Sequence, residues 1–324
     1  MAIQELMRTL PGDRDQSWIE QSLQDAIQLE FATIPPYLCA MWSITNGTDP
    51  VCRIIKSVVR EEMLHMGLVC NMLAAIGGQP RINVKGFVPE YPSGLPGDVI
   101  PGLTIDLVGL SRDVVMKTFM KIEVPENGAV TIMSLIGDRG FATIGDFYDA
   151  ILCAFHDLQP GLSASRQLEE EILGLTKIQN LADVESALER IKEQGEGTAQ
   201  SPFADAFDGE LAHYYRFEQI AMEKLIVRAP DGKARWGGPL VFPTGLLPMA
   251  PVPKGGHPPN VSRPFDEQFS AMLEGLQRAW DNGDAQSLTE AVDIMRKLKT
   301  LAQNLMKQPL PSGQGNYGPS FLLV

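Results

Sequence analysis

Two Glu-x-x-His pairs, Glu62-Met63-Leu64-His65 and Glu210-Leu211-Ala212-His213, stand far apart in the chain, each in a stretch that reads as helix. Residues three apart share a helix face, so a carboxylate and an imidazole at this spacing can reach the same ion. A single pair constrains little. Two pairs, with another Glu turned inward on a third helix, match the ligand arithmetic of a dinuclear iron or manganese site in a four-helix bundle. Such a site takes one Glu from each of two helices and a Glu-x-x-His from each of the other two.

Helical phase, at about 100° per residue, tests which acids point inward. In the first helix Trp18, Ile19, Leu23, Ala26, Ile27 and Ile34 form an apolar stripe. Glu30 falls within about 10–20° of its centre. A buried carboxylate needs a cation or strong hydrogen bonds. In the second helix Ile54, Ile55, Val58, Val59, Met66, Val69 and Leu73 define the stripe, with Glu62 near its centre and Glu61 at the edge, facing water. His65 lies about 50° from that centre. In the later helix Tyr214, Phe217, Ala221 and Leu225 place Glu210 inside the stripe. There His213 falls about 80° off. The fourth acid is open between two residues. Glu196, in Gln194-Gly195-Glu196-Gly197, is the choice because glycines allow close approach. Glu193 stands behind it, turned about 180° from the inward residues of its helix. Asp146, Asp149, His156 and Asp157 cluster on a polar face and read as solvent-exposed.

The pattern along the chain is mainly α. A first helix spans about Asp15 to Ile44, with a kink or bulge expected after Ile34 because Pro35 and Pro36 interrupt it. A second runs from Val51 to Ile76 and stops at Gly77-Gly78. Residues 79–110 read as loop with short strands such as Leu103 to Val108, and Ser111 to Glu123 as a short helix. Thr143-Ile144-Gly145-Asp146 is a capping-box signal opening a helix to Leu158. Asp183 to Gln194 and Asp208 to Val227 complete the bundle region, 1–227. From 228 the chain turns to Pro and Gly, a linker or a loop laid over the bundle. A helical pair, Phe265 to Trp280 and Gln286 to Met306, then leads to an apolar tail expected to dock, so 228–324 reads as an extension packed on the bundle.

With 44% hydrophobic and 21% charged residues the chain reads as an ordinary globular protein. Its net charge of −13 argues against nucleic acid or an anionic membrane as partner. No run is long and apolar enough for a membrane span, and no signal peptide is evident at Met1 to Arg14. Cys39, Cys52, Cys70 and Cys153 lack C-x-x-C spacing and read as buried free thiols, which points to the cytoplasm. Gly195-Glu196-Gly197 follows a helix rather than a strand, so it is no phosphate loop.

The segments Glu30-Phe31-Ala32-Thr33-Ile34-Pro35-Pro36-Tyr37-Leu38, Arg60-Glu61-Glu62-Met63-Leu64-His65-Met66, Gln194-Gly195-Glu196-Gly197 and Glu210-Leu211-Ala212-His213-Tyr214-Tyr215 resemble a known family. It is the ferritin-like domain family related to the iminophenylpyruvate dimer synthases of violacein and rebeccamycin biosynthesis. The resemblance covers most of residues 15–226, and Gly318-Pro319-Ser320-Phe321 is similar to that family's tail. It implies a ferritin-like four-helix bundle with a metal centre, carrying here long loop insertions and a C-terminal helical extension.

The expected ligands are Glu30, Glu62, His65, Glu196, Glu210 and His213, with Glu62 and Glu210 bridging two iron ions, or manganese in their place. The expected function is a non-haem dinuclear iron oxidase or oxygenase acting on a small organic substrate with dioxygen, in a chain compatible with a homodimer. The alternatives are an imine-coupling synthase, as the resemblance implies, a non-enzymatic iron-binding protein, and a structural bundle whose Glu and His residues only hydrogen-bond. No catalytic residue is assigned.

Overall fold

The computed structural model describes residues 3–125, 143–197, 201–204 and 206–324, except for the side chain of Glu196. The longest helix, α1 (Gln16–Ser43), opens where the Asp15 carboxylate accepts from the Trp18 amide at 2.9 Å. Such a cap satisfies an amide that the first turn leaves without a partner. Helical backbone continues through Pro35 and Pro36. Pro36 has no N–H for the Ala32 carbonyl, and the buried Tyr91 hydroxyl donates to that carbonyl at 2.7 Å. An outside donor thus replaces the missing helical bond.

Helix α2 (Pro50–Ala75) begins with Pro50 in its first turn behind the Asp49 cap, and the chain turns away after it at Gly77, whose φ of 88° suits glycine. It lies against α1, as the short turn between them requires. The loop after it contains only a Ser93–Ile105 bridge where short strands were expected. Next comes α3, built from Arg112–Val114, a π-helical turn at Val115–Phe119, and Met120–Ile122. Helices α4 (Ile144–Leu158) and α5 (Leu181–Glu196) each open on a full capping box, Thr143 with Asp146 and Asn180 with Asp183. Asp149, His156 and Asp157 are exposed on α4, as their polar face foretells.

Helix α6 (His213–Met222) begins later than its sequence pattern suggests. Residues 208–212 are turn and bridge: the Ala204 amide donates to the Glu210 carbonyl at 2.9 Å and the Ala212 amide to the Pro202 carbonyl at 2.8 Å. A two-stranded antiparallel hairpin, β1 (Lys224–Arg228) and β2 (Ala234–Pro239), replaces the expected helical end. The Pro/Gly-rich stretch is laid over the bundle, with Leu247 N donating to the Ser43 carbonyl at 2.8 Å and Val252 N to that of Leu107 at 2.9 Å. Helices α7 (Pro259–Asn282) and α8 (Ala285–Met306) form a hairpin, with α8 resting on α1. The apolar tail docks as its composition foretells. Phe321 packs between Phe265 and Phe269, with ring centroids at 4.9 and 5.2 Å, and stacks on Trp42. No helix among the described residues is long and apolar enough to cross a membrane.

Candidate metal centre

Helices α1, α2 and α6 and the end of α3 converge on one buried group of acids and imidazoles. Glu30 comes from α1, Glu62 and His65 from α2, Glu123 from the residue after α3, and His213 from the first position of α6. All five are buried. Their ligand atoms fall into two overlapping sets, Glu30–Glu62–His65 and Glu62–Glu123–His213, each within 4.8 Å. Glu62 belongs to both.

Each inner carboxylate receives a hydroxyl from a neighbouring helix. Tyr148 donates to Glu30, Tyr37 donates to Glu123, and the Thr33 hydroxyl donates to Glu62 at 2.9 Å. These bonds orient the acids without neutralising them. Burial and the nearby charge of Glu123 push the Glu62 carboxyl up to about 7. Burial holds both tyrosines well above the usual phenol range, so they remain donors.

The imidazoles are arranged alike. His65 Nε2 lies 2.9 Å from Gln194 Oε1, and the other end of that amide donates to Asp208 at 3.3 Å. The amide oxygen therefore faces the ring, Nε2 carries the hydrogen, and the Nδ1 lone pair points toward Glu30 Oε2, 3.4 Å away. His213 Nε2 lies 3.0 Å from Glu61 Oε2, an atom that only accepts, so here too Nδ1 is left as the inward atom. That Nδ1 is 2.8 Å from Glu62 Oε1 and 3.5 Å from Glu123 Oε2, yet makes no well-directed hydrogen bond. A lone pair facing two carboxylates requires a cation between them. When that cation is a proton, burial opposes the charge but Glu123, Glu61 and Glu62 outweigh it, and His213 is held well above its usual value. A divalent ion fits the same place, and the donor set of carboxylate oxygens and imidazole nitrogens suits iron, manganese or zinc.

The structure brings together Glu30, Glu62, His65 and His213 from the sequence-derived set. Glu210 does not join them: its side chain is 62% exposed and lies 3.9 Å from Arg216. The i, i+3 rule holds only within a helix, and Glu210 precedes α6. Glu196 closes α5, and its side chain lies outside the described residues. Glu193 is half-buried and stands outside both sets. Glu61 is turned inward rather than toward water, bonded to Arg216 at 2.7 Å. Burial raises its carboxyl, but His213 and Arg216 overcome this and bring it down to about 2.

Glu123, which sequence reasoning did not single out, joins the centre. A signal was present, since Val115, Phe119 and Ile122 are the buried face of its short helix. Regular phase leaves Glu123 about 80° from the centre of that face. The π turn one step earlier rotates the residues after it and hides the match.

A small cleft of about 50 Å³, partly open to solvent, reaches Glu30, Glu62, His65 and Glu123. Leu29, Leu95, Ile122, Ile144 and Ile191 supply its aliphatic walls, and Tyr148 and Lys192 also line it.

A family model described as ferritin-like matches residues 23–222, the span that holds this centre. The chain is 25% identical over 314 residues to dichlorochromopyrrolate synthase of Lentzea aerocolonigenes, a match covering 83% of this chain and 29% of the synthase. The chain thus spans under a third of that relative's length. The crystal structure of a ferritin-like protein from Caulobacter vibrioides superposes with a TM-score of 0.65 at 22% identity, covering 92% of this chain and 97% of the other. The fold, the inward acids and the family match agree, and the chain belongs to the ferritin-like family.

Proposed function

We propose that the chain is a non-haem dinuclear iron oxidase or oxygenase acting on a small organic substrate with dioxygen. One observation carries this reading: Glu62 is shared by two ligand sets, each completed by one further carboxylate and one inward Nδ1. With Glu61 behind them, Glu30, Glu62 and Glu123 give the site up to four negative charges, enough to balance two divalent ions. Bound iron would supply open coordination positions and redox chemistry. The protein's own contribution is positional. Tyr148, Thr33 and Tyr37 fix the carboxylates, and the aliphatic side chains beside them in the cleft favour contact with an apolar part of the substrate. The net charge of −13 supports a small molecule rather than nucleic acid or an anionic membrane as partner. Cys39, Cys52 and Cys70 are buried free thiols, consistent with a cytoplasmic setting, while Cys153 is exposed. Anaerobic loading of the purified chain with ferrous iron should give two ions per chain and an absorption change on admitting oxygen. Protein that holds no iron under aerobic or anaerobic loading overturns the reading.

The identity to dichlorochromopyrrolate synthase favours a second reading, metal-assisted coupling of imines. It calls for turnover of iminophenylpyruvate without net oxygen uptake, and absence of product from that substrate disposes of it. For plain iron handling, the third reading, a monomer or dimer by light scattering would count against a storage cage.

A further inference from the structure

The two halves of the centre differ in what stands behind each imidazole. Behind His213 is a carboxylate, Glu61, 3.0 Å from Nε2 and held in place by Arg216 at 2.7 Å. Arg216 is itself fixed by the Ser57 hydroxyl at 2.9 Å and the Leu211 carbonyl. Behind His65 is a neutral amide, Gln194, 2.9 Å from Nε2 and oriented by Asp208. A carboxylate accepting an imidazole N–H makes the opposite nitrogen a stronger donor than a neutral amide does. The halves also differ in access. The cleft reaches Glu30 and His65 in one half and Glu123 in the other, with Glu62 common to both, and of the five residues His213 alone does not line it.

We propose that these are unequal binding positions with separate roles. The Glu62–Glu123–His213 position, backed by Glu61, takes the first divalent ion and retains it. The Glu30–Glu62–His65 position, backed by Gln194 and with all three of its residues on the cleft, takes the second ion weakly and exchanges it. Glu61 and Gln194 are then positioning residues that set an order of filling. This rests on the two-ion reading above, though not on which reaction the centre performs.

The test is an anaerobic titration of the full chain with cobalt(II), followed by visible absorption and by calorimetry. Two steps are expected, the first tighter by about tenfold or more. Glu61→Gln should weaken the first step by about 10–100-fold and leave the second unchanged. The reciprocal Gln194→Glu should tighten the second step, a gain that a merely structural role would not produce. If Glu61→Gln does not fold, Gln194→Glu carries the test. Two equal steps in the unaltered chain, or a second step unmoved by Gln194→Glu, overturn the inequality while leaving a two-ion centre standing. A chain that binds no cobalt removes the two-ion reading itself.

Discussion

Glu61 and Glu62, neighbours in the sequence, grip opposite nitrogens of the same ring: Glu61 Oε2 lies 3.0 Å from His213 Nε2, and Glu62 Oε1 lies 2.8 Å from His213 Nδ1. Successive helical residues point about 100° apart, so α2 straddles the imidazole at the head of α6. One acid orients the ring and the other shares its inward face. This arrangement makes His213 part of the centre without its sequence partner Glu210.

Metal affinity should rise with pH. Without metal, burial and Glu123 put the Glu62 carboxyl at about 7, and its acidic neighbours hold the His213 imidazole well above its usual value. Both protons must leave when an ion binds, so protons compete with metal below these values. Affinity measured by competition with a chelator should gain at least about tenfold between about pH 6 and about pH 8. An affinity flat across that window contradicts the assignment of Glu62 and His213 as ligands.

Arg216→Ala should destabilise the metal-free protein. It removes a guanidinium 2.7 Å from Glu61 and leaves a mostly buried carboxylate with one fewer partner. The expected cost is about 3 kcal/mol at neutral pH, read by denaturant unfolding. The sign of its pH dependence is set by Glu61, whose folded value of about 2 lies below the unfolded 4.5. Stability from this group is present above about 4.5 and is lost as pH falls toward about 2. The difference between variant and parent should therefore shrink in acid. An unchanged midpoint at neutral pH would show that Arg216 does not stabilise Glu61.

Tyr91→Phe should cost about 1–3 kcal/mol by leaving the Ala32 carbonyl buried without its donor. Pro36→Ala restores a backbone N–H that can serve that carbonyl, so the same Tyr91 substitution should cost less in that background. A thermal-melt double-mutant cycle reads the coupling. Strict additivity would mean that the tyrosine does not stand in for the proline's missing bond.

The legibility of this centre in the sequence depends on helical regularity. Glu30, Glu62 and His65 lie deep inside α1 and α2, where long apolar stripes make the phase reliable. Helix α1 continues through its two prolines, with Tyr91 supplying the bond that Pro36 cannot form. His213 reaches the cluster by a different route from the one its phase implies. Regular phase, extended backward through residues that form a turn, puts Glu210 inward and His213 toward the edge. Glu123 is hidden because it lies just past the end of a short helix whose π turn breaks the regular period. The tail is legible from composition alone, since an apolar terminus gains by docking.

Phe321→Ala should loosen the C-terminal extension. The ring is buried against Phe265, Phe269 and Trp42, which belong to α7 and α1. Its removal leaves a cavity at that junction, with an expected loss of about 3 kcal/mol in denaturant unfolding. Hydrogen exchange should rise first in α7 rather than around the centre. Faster exchange at Glu62 without change in α7 would mean that the tail acts elsewhere.

The choice between Glu123 and Glu210 is decisive for this centre, because a regular spacing rule points to one acid and the folded chain gathers the other. Metal content per chain after anaerobic ferrous loading, compared across Glu123→Gln, Glu210→Gln and the unaltered protein, decides it. Two ions are expected in the unaltered chain and in Glu210→Gln, with loss of at least one in Glu123→Gln. Full loading of Glu123→Gln together with loss in Glu210→Gln would restore the regular spacing rule and remove Glu123 from the centre.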